Sequence, residues 1–166
     1  MRLYCLPLLF ALSMGVQAQS NCKCCTEKFR QFDFWLGEWN VTDSTGTLLG
    51  TSKIEVIQDS CAIKESWTSA QSIFTGTSYN FYDTSKSQWT QTWVDNQGGS
   101  LFLHGGIIDG SMQLESDEIE DPQGRKLINR ITWTPNDDGT VRQHWEAKVD
   151  DEDWSSLFDG VYSSKK

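Results

Sequence analysis

Four polar residues share strand faces with large aromatic or aliphatic ones. Glu65 lies between Ile63 and Trp67 in alternation, Gln91 between Trp89 and Trp93, Asn129 between Leu127 and Ile131, and Gln143 between Val141 and Trp145. Residues two apart on an extended chain point the same way, so each polar group belongs to an apolar face. Such groups cost about 1–3 kcal/mol if buried without a partner. They persist when paired with one another, with water or with a guest. An aromatic hollow carrying a few convergent polar groups is the usual form of a small-molecule site. On this reading Trp67, Trp89, Trp93, Trp133 and Trp145 form walls, and Glu65, Gln91, Asn129 and Gln143 orient a small, largely apolar molecule. The competing reading is an interior filled by the eight tryptophans, the polar groups satisfying each other. A filled barrel of that kind would act through its outer surface as an interaction module.

Glu65 is the most informative of these residues. Burial between Ile63 and Trp67 raises the pKa of a carboxyl group, giving an acid that could donate a proton or receive a cationic or hydroxyl group. A glutamate at a barrel mouth, paired with Lys or Arg, is the alternative. The two histidines are His104 and His144. His144 alternates away from the apolar face. His104, in Leu101-Phe102-Leu103-His104-Gly105, sits where both parities are apolar, so its side stays open. It joins the candidate ligand-binding residues. Paired with Glu65 it would suit a small acid–base enzyme of the isomerase or cyclase type; alone it could ligate haem. Neither option is compelling enough to assign a catalytic residue or a cofactor. No Ser-His-Asp arrangement and no glycine-rich loop opening a helix are present. The acidic runs Glu115–Asp121 and Asp150–Asp153 lack the spacing of a calcium loop and read as solvated hairpin tips.

The elements that must position these residues are strands. From residue 29 onward, short runs rich in Trp, Tyr, Phe, Val, Ile and Thr alternate with Asp, Asn, Gly and Ser clusters such as Asp43-Ser44-Thr45-Gly46 and Asp95-Asn96-Gln97-Gly98-Gly99. Those clusters carry turn chemistry, and their spacing predicts a meander of about ten antiparallel strands. The segment Phe29 to Leu36 alone suggests a helical turn. Expected inward sets include Tyr79 with Phe81, Met112 with Leu114, Leu127 with Asn129, Ile131 and Trp133, and Trp154 with Phe158 and Tyr162. A sheet without covering helices hides its apolar face by closing on itself or by folding into a sandwich; closure also removes exposed edges, which favours an all-β up-and-down barrel.

The first 18 of the 166 residues, with Arg2, an apolar run to Val16 and small residues at Val16 and Ala18, read as an export signal. The expected organisation is a signal over 1–18, a Cys-rich leader over 19–28 and a barrel domain over 29–166. The expected location is periplasmic or secreted, with no lipid anchor and no membrane span. A net charge of −9 argues against a nucleic-acid partner, which needs a basic face. Outside the signal the cysteines are Cys22, Cys24, Cys25 and Cys61. An even count in an oxidising compartment favours disulfides, with Cys61 taking one partner from the leader. A thiolate metal or redox site is the alternative, since Cys-Lys-Cys-Cys packs three soft ligands closely, though at no common zinc spacing.

Gly37-Glu38-Trp39 at the head of the first strand resembles the Gly-x-Trp element of lipocalins and their calycin relatives. The wider string Phe32-Asp33-Phe34-Trp35-Leu36-Gly37-Glu38-Trp39-Asn40-Val41, with Cys61-Ala62-Ile63-Lys64-Glu65-Ser66-Trp67, Trp93-Val94-Asp95-Asn96 and Phe158-Asp159-Gly160, resembles an exported bacterial family of unknown function. The likeness spans about residues 29–162. It implies a lipocalin-like barrel and brings no activity. Lipocalins cover that Trp with an Arg of the last strand, and Trp154 to Tyr162 contains none. Arg130 or Arg142 would have to substitute, or the Trp is covered otherwise.

Overall fold

The computed structural model describes residues 22–165. The expected signal, Met1–Ala18, and the first residues of the leader lie outside that range. A short helix α1 (Glu27–Arg30) and a 3-10 turn (Asp33–Trp35) precede the sheet, close to the helical turn expected at Phe29–Leu36. The strands follow as β1 (Gly37–Thr42), β2 (Leu48–Ile57), β3 (Ala62–Ser69), β4 (Thr75–Asp83), β5 (Gln88–Asp95) and β6 (Ser100–Ile108). Then come β7 (Ser111–Glu115), β8 (Ile119–Glu120), β9 (Lys126–Pro135), β10 (Val141–Val149) and β11 (Ser155–Ser164). Every pairing is antiparallel. β7 pairs β9, β9 pairs β10, β10 pairs β11 and β11 returns to β1, so ten strands close into a barrel. β8 lies outside, paired to the start of β9. The expected all-β up-and-down barrel is therefore what forms, with turn residues at each reversal.

Consecutive hairpins reverse at alternate ends, which gives the barrel two different mouths. At one end the 3-10 turn inserts Phe32 and Trp35, both fully buried. Phe32 stacks on Trp35 at 4.9 Å and meets Trp133 edge-on at 5.2 Å and Trp89 at 5.7 Å. The Trp39 indole donates to the Trp35 carbonyl at 2.9 Å, and Trp89 donates to Gln31 at 3.1 Å. These bonds tie the plug to β1 and β5. Trp39 is covered by Tyr162 and the plug; Arg130 and Arg142 are engaged on the outer wall with Glu146 and Asp159. Neither Arg130 nor Arg142 therefore takes the covering place that was open to them.

The leader clamps this plugged end. Cys24 is bonded to Cys61 and Cys22 to Cys25, so Cys61 does take a leader partner and no described cysteine is left to hold a metal. Cys61 closes the β2–β3 turn, where Gln58, Asp59 and Ser60 all have positive φ (53°, 50° and 74°). Left-handed backbone costs non-glycine residues about 1–2 kcal/mol each. Arg30 holds the same turn, donating to the Ser60 carbonyl at 2.6 Å.

Two inward assignments are corrected. Tyr79 and Phe81 face outward, Tyr79 being 45% exposed, while Ser78 and Asn80 are fully buried on the inner face of β4. The aromatic pair misleads because the buried Glu65 on the neighbouring strand needs hydrogen-bond donors opposite it. Trp154 also lies outside, with the Arg130 guanidinium 3.9 Å from its ring centre. A bulge at Leu157, where Trp145 pairs Phe158 but Glu146 pairs Ser156, reverses the parity between Trp154 and Phe158.

Candidate functional site

The barrel interior is filled at the plugged end and hollow at the other. A cavity of about 360 Å³ opens at the end of the β1–β2, β3–β4 and β5–β6 hairpins. Trp67, Trp93, Trp145, Phe74 and Phe158 form its walls, with Leu49, Leu101 and Ile131 between them. Ser69, Gln71, Ser72 and Asp95 ring its mouth, and Glu65, Gln91, Gln143 and Tyr162 line its depth.

Missing side chains hold the walls apart. Gly50 and Gly76 lie on inward-facing positions of β2 and β4. Trp67 and Trp93, each diagonal to one of these glycines across a strand pair, lie flat upon them. A Cβ at Gly76 would sit 2.0 Å from the Trp93 ring, and one at Gly50 2.6 Å from the Trp67 ring. The glycines thus let two indoles fold against the wall instead of projecting across the lumen. Phe158 rests near Gly160 in the same fashion, at 2.7 Å from where its Cβ would be.

At the bottom is a directional chain of hydrogen bonds that ends on one carboxyl group. Gln91 Nε2 donates to Asn80 Oδ1 at 2.7 Å, Asn80 Nδ2 donates to Ser78 Oγ at 2.9 Å, and Ser78 Oγ donates to Glu65 Oε2 at 3.0 Å. From the other side Ser52 Oγ donates to Glu65 Oε1 at 2.9 Å. Register accounts for the convergence: Ser78 is directly opposite Glu65, and Ser52 is opposite Trp67 two residues on. Glu65 is 4% exposed and, among the described residues, meets no Lys, Arg or His. Burial pushes its pKa up to about 7, against which the two serine hydroxyls pull down. Tyr162 donates its hydroxyl to Gln143 Oε1. Burial, and then the neighbouring Glu65 charge, hold that phenol well above its ordinary pKa.

Of the ten candidate ligand-binding residues, the structure brings Glu65, Trp67, Gln91, Trp93, Gln143 and Trp145 around the cavity. Trp89 and Trp133 face inward but lie in the plug. Asn129 is buried and accepts the Trp145 indole N–H at 2.9 Å, so it positions a wall without lining the hollow. His104 is on the outer wall, 3.0 Å from Asp117. It therefore forms no acid–base pair with Glu65 and cannot reach a haem in the lumen. Sequence reasoning missed Ser52, Ser78 and Asn80, and it turned Tyr162 inward without giving it a place in the site. Their signal was available in part, since Ser78 and Asn80 keep the two-residue period of the neighbouring polar row. Among the described residues no group of three or more His, Cys, Asp or Glu is arranged to hold a metal.

No family model matches the chain, and no curated protein matches it in sequence.

Proposed function

We propose that the protein is an exported, calycin-like carrier or receptor that holds one small, largely apolar molecule in the open half of its barrel. The carrying observation is the cavity itself: aromatic walls, an open mouth and a converging polar floor at Glu65. A pocket of about 360 Å³ falls at the small end of the range typical for small-molecule sites. Export is supported by the two disulfides, which persist in oxidising compartments. It is also compatible with the fact that no described helix is long and apolar enough to cross a membrane. The kinship with the exported bacterial family is part of the same proposal and rests on the strings around Trp35–Trp39 and Cys61–Trp67.

Three tryptophans in the walls make occupancy visible. Titrating the protein with a panel of apolar compounds, a saturable change in indole fluorescence is the expected outcome. Its loss in Trp93→Phe with Trp145→Phe, in a variant that still folds, would place the guest between those rings. A panel that leaves the emission unchanged throughout would overturn the reading.

A further inference from the structure

We propose that the guest is an organic cation, an amine or quaternary ammonium with an apolar body, its charge seated over Glu65 among the indoles. This rests on the cavity being a binding site, and it narrows the class of molecule that site accepts.

Three independent features point the same way. First, the charges that face the cavity have one sign. Its titratable lining groups are Glu65 from β3, Asp95 from the end of β5 and Tyr162 from β11. The lining residues from β2, β6, β9 and β10 contribute none, and among the described residues no Lys, Arg or His lines the lumen. Glu65 receives two hydroxyl donors but has no counter-charge. A carboxylate so placed is only partly compensated, and a cation supplies what is missing. Secondly, Trp67, Trp93, Trp145, Phe74 and Phe158 surround the space above it. Aromatic faces attract cations, more strongly when both are withdrawn from water. An anion would find no basic side chain among the residues that line it.

Thirdly, the mouth is acidic. Strand direction puts the β7–β9 connection, the β10–β11 turn and the β5–β6 turn at the open end. These carry Asp117, Glu118, Glu120 and Asp121, the run Asp150–Asp153, and Asp95. Asp95 accepts the backbone N–H groups of Gln97 and Gly99, which hold its carboxyl below the usual range. Arg125 and Lys126 offset only part of this charge through Asp121 and Glu118. A field of one sign at a cleft concentrates ligands of the other.

The test uses a permanently charged probe and its neutral isostere, phenyltrimethylammonium and tert-butylbenzene, titrated against the full-length protein by indole fluorescence from pH 5 to pH 8.5. A permanent charge leaves Glu65 as the cavity group that titrates in this window, Asp95 being ionised throughout. Expected for the cation is at least tenfold tighter binding than the isostere at pH 8.5. Its affinity should fall as pH drops below the Glu65 pKa of about 7, by up to tenfold per unit, and level off at that of the isostere. Glu65→Gln should erase the preference while leaving tert-butylbenzene bound, and the wild-type pH profile decides the matter even if that variant does not fold. Isostere binding equal to that of the cation at pH 8.5, or a cation affinity flat across the range, overturns the inference and leaves the pocket reading standing. Failure of both probes to bind at any pH overturns the two together.

Discussion

Replacing Glu65 by Gln should make the protein more stable at alkaline pH and no more stable near pH 5. The carboxyl has a folded-state pKa of about 7 against an ordinary value of 4.5, because burial outweighs its two serine donors. Between those values the folded state binds more protons than the unfolded one, so stability declines as pH rises. The contribution is fully present below about pH 4.5 and is lost as pH climbs through 7. Each pKa unit corresponds to ~1.4 kcal/mol, and the portion falling between pH 5 and pH 8.5 is on the order of 2–3 kcal/mol. Glutamine carries no charge to desolvate, and its amide can still accept from one serine and donate to the other. Rearranging that pair costs on the order of 1 kcal/mol. The variant should therefore be level with or slightly below wild type at pH 5, cross it by about pH 6, and exceed it by about 1–2 kcal/mol at pH 8.5. Denaturant unfolding of both proteins at several pH values, disulfides intact, measures this. Comparing the two chains cancels the surface carboxylates and the histidines, which both share. Parallel stability curves over the whole range would show that Glu65 is not desolvated in the folded protein, and the reasoning about the polar floor would fall with it.

Gly76→Val should tip the Trp93 indole into the lumen, since a Cβ there would meet the ring at 2.0 Å; a guest affinity lowered by tenfold or more, with the fold retained by circular dichroism, is the expected result. Replacing Cys24 and Cys61 by Ser opens a closure of 37 residues in sequence separation and should lower unfolding free energy by roughly 3–4 kcal/mol on loop entropy alone. The effect should be read from chemical denaturation, where an unchanged midpoint would deny the leader its clamping role. Trp35→Ala removes the centre of the plug and should destabilise by about 3–5 kcal/mol, seen as a lowered Tm, without altering the walls of the open half.

Strand count, closure and the inward side of β3, β5, β9 and β10 could be read from alternation and turn chemistry, because a half-buried strand has a period of two whatever its neighbours. What alternation cannot convey is height along the barrel axis. Trp89 and Trp93 share a face of β5, yet one starts the strand and the other nears its end, so one joins the plug and the other a wall. Trp133, close to the end of β9, falls at the plugged end for the same reason. Parity also fails wherever a bulge intervenes, as between Trp154 and Phe158. On β4 the inward side is the polar one: Tyr79 and Phe81 carry more apolar surface than Ser78 and Asn80, but only the latter pair can satisfy Glu65. Gly50 and Gly76 drew no notice because their role exists only against the indole lying diagonally across the strand pair.

The division of the interior argues for a use. Four indoles, Phe32 and a disulfide-clamped turn give the plugged end dense packing, and a barrel of this size could continue that packing to the other mouth. Instead, the positions beneath three wall rings are glycine, another buried position is a carboxyl without counter-charge among the described residues, and four serines and amides form the chains that end on it. These choices have a cost: by letting the rings fold against the wall the glycines leave the lumen between them open, and the buried acid opposes folding above pH 7. Local rules broken together, on one face and around one hollow, are what a functional site looks like in an otherwise consistent fold. Collapsing the hollow with Gly76→Val and substituting Met for Glu65 should accordingly give a barrel that keeps its fold and binds nothing. A filled barrel that bound the same guests as wild type would move the function to the outer wall.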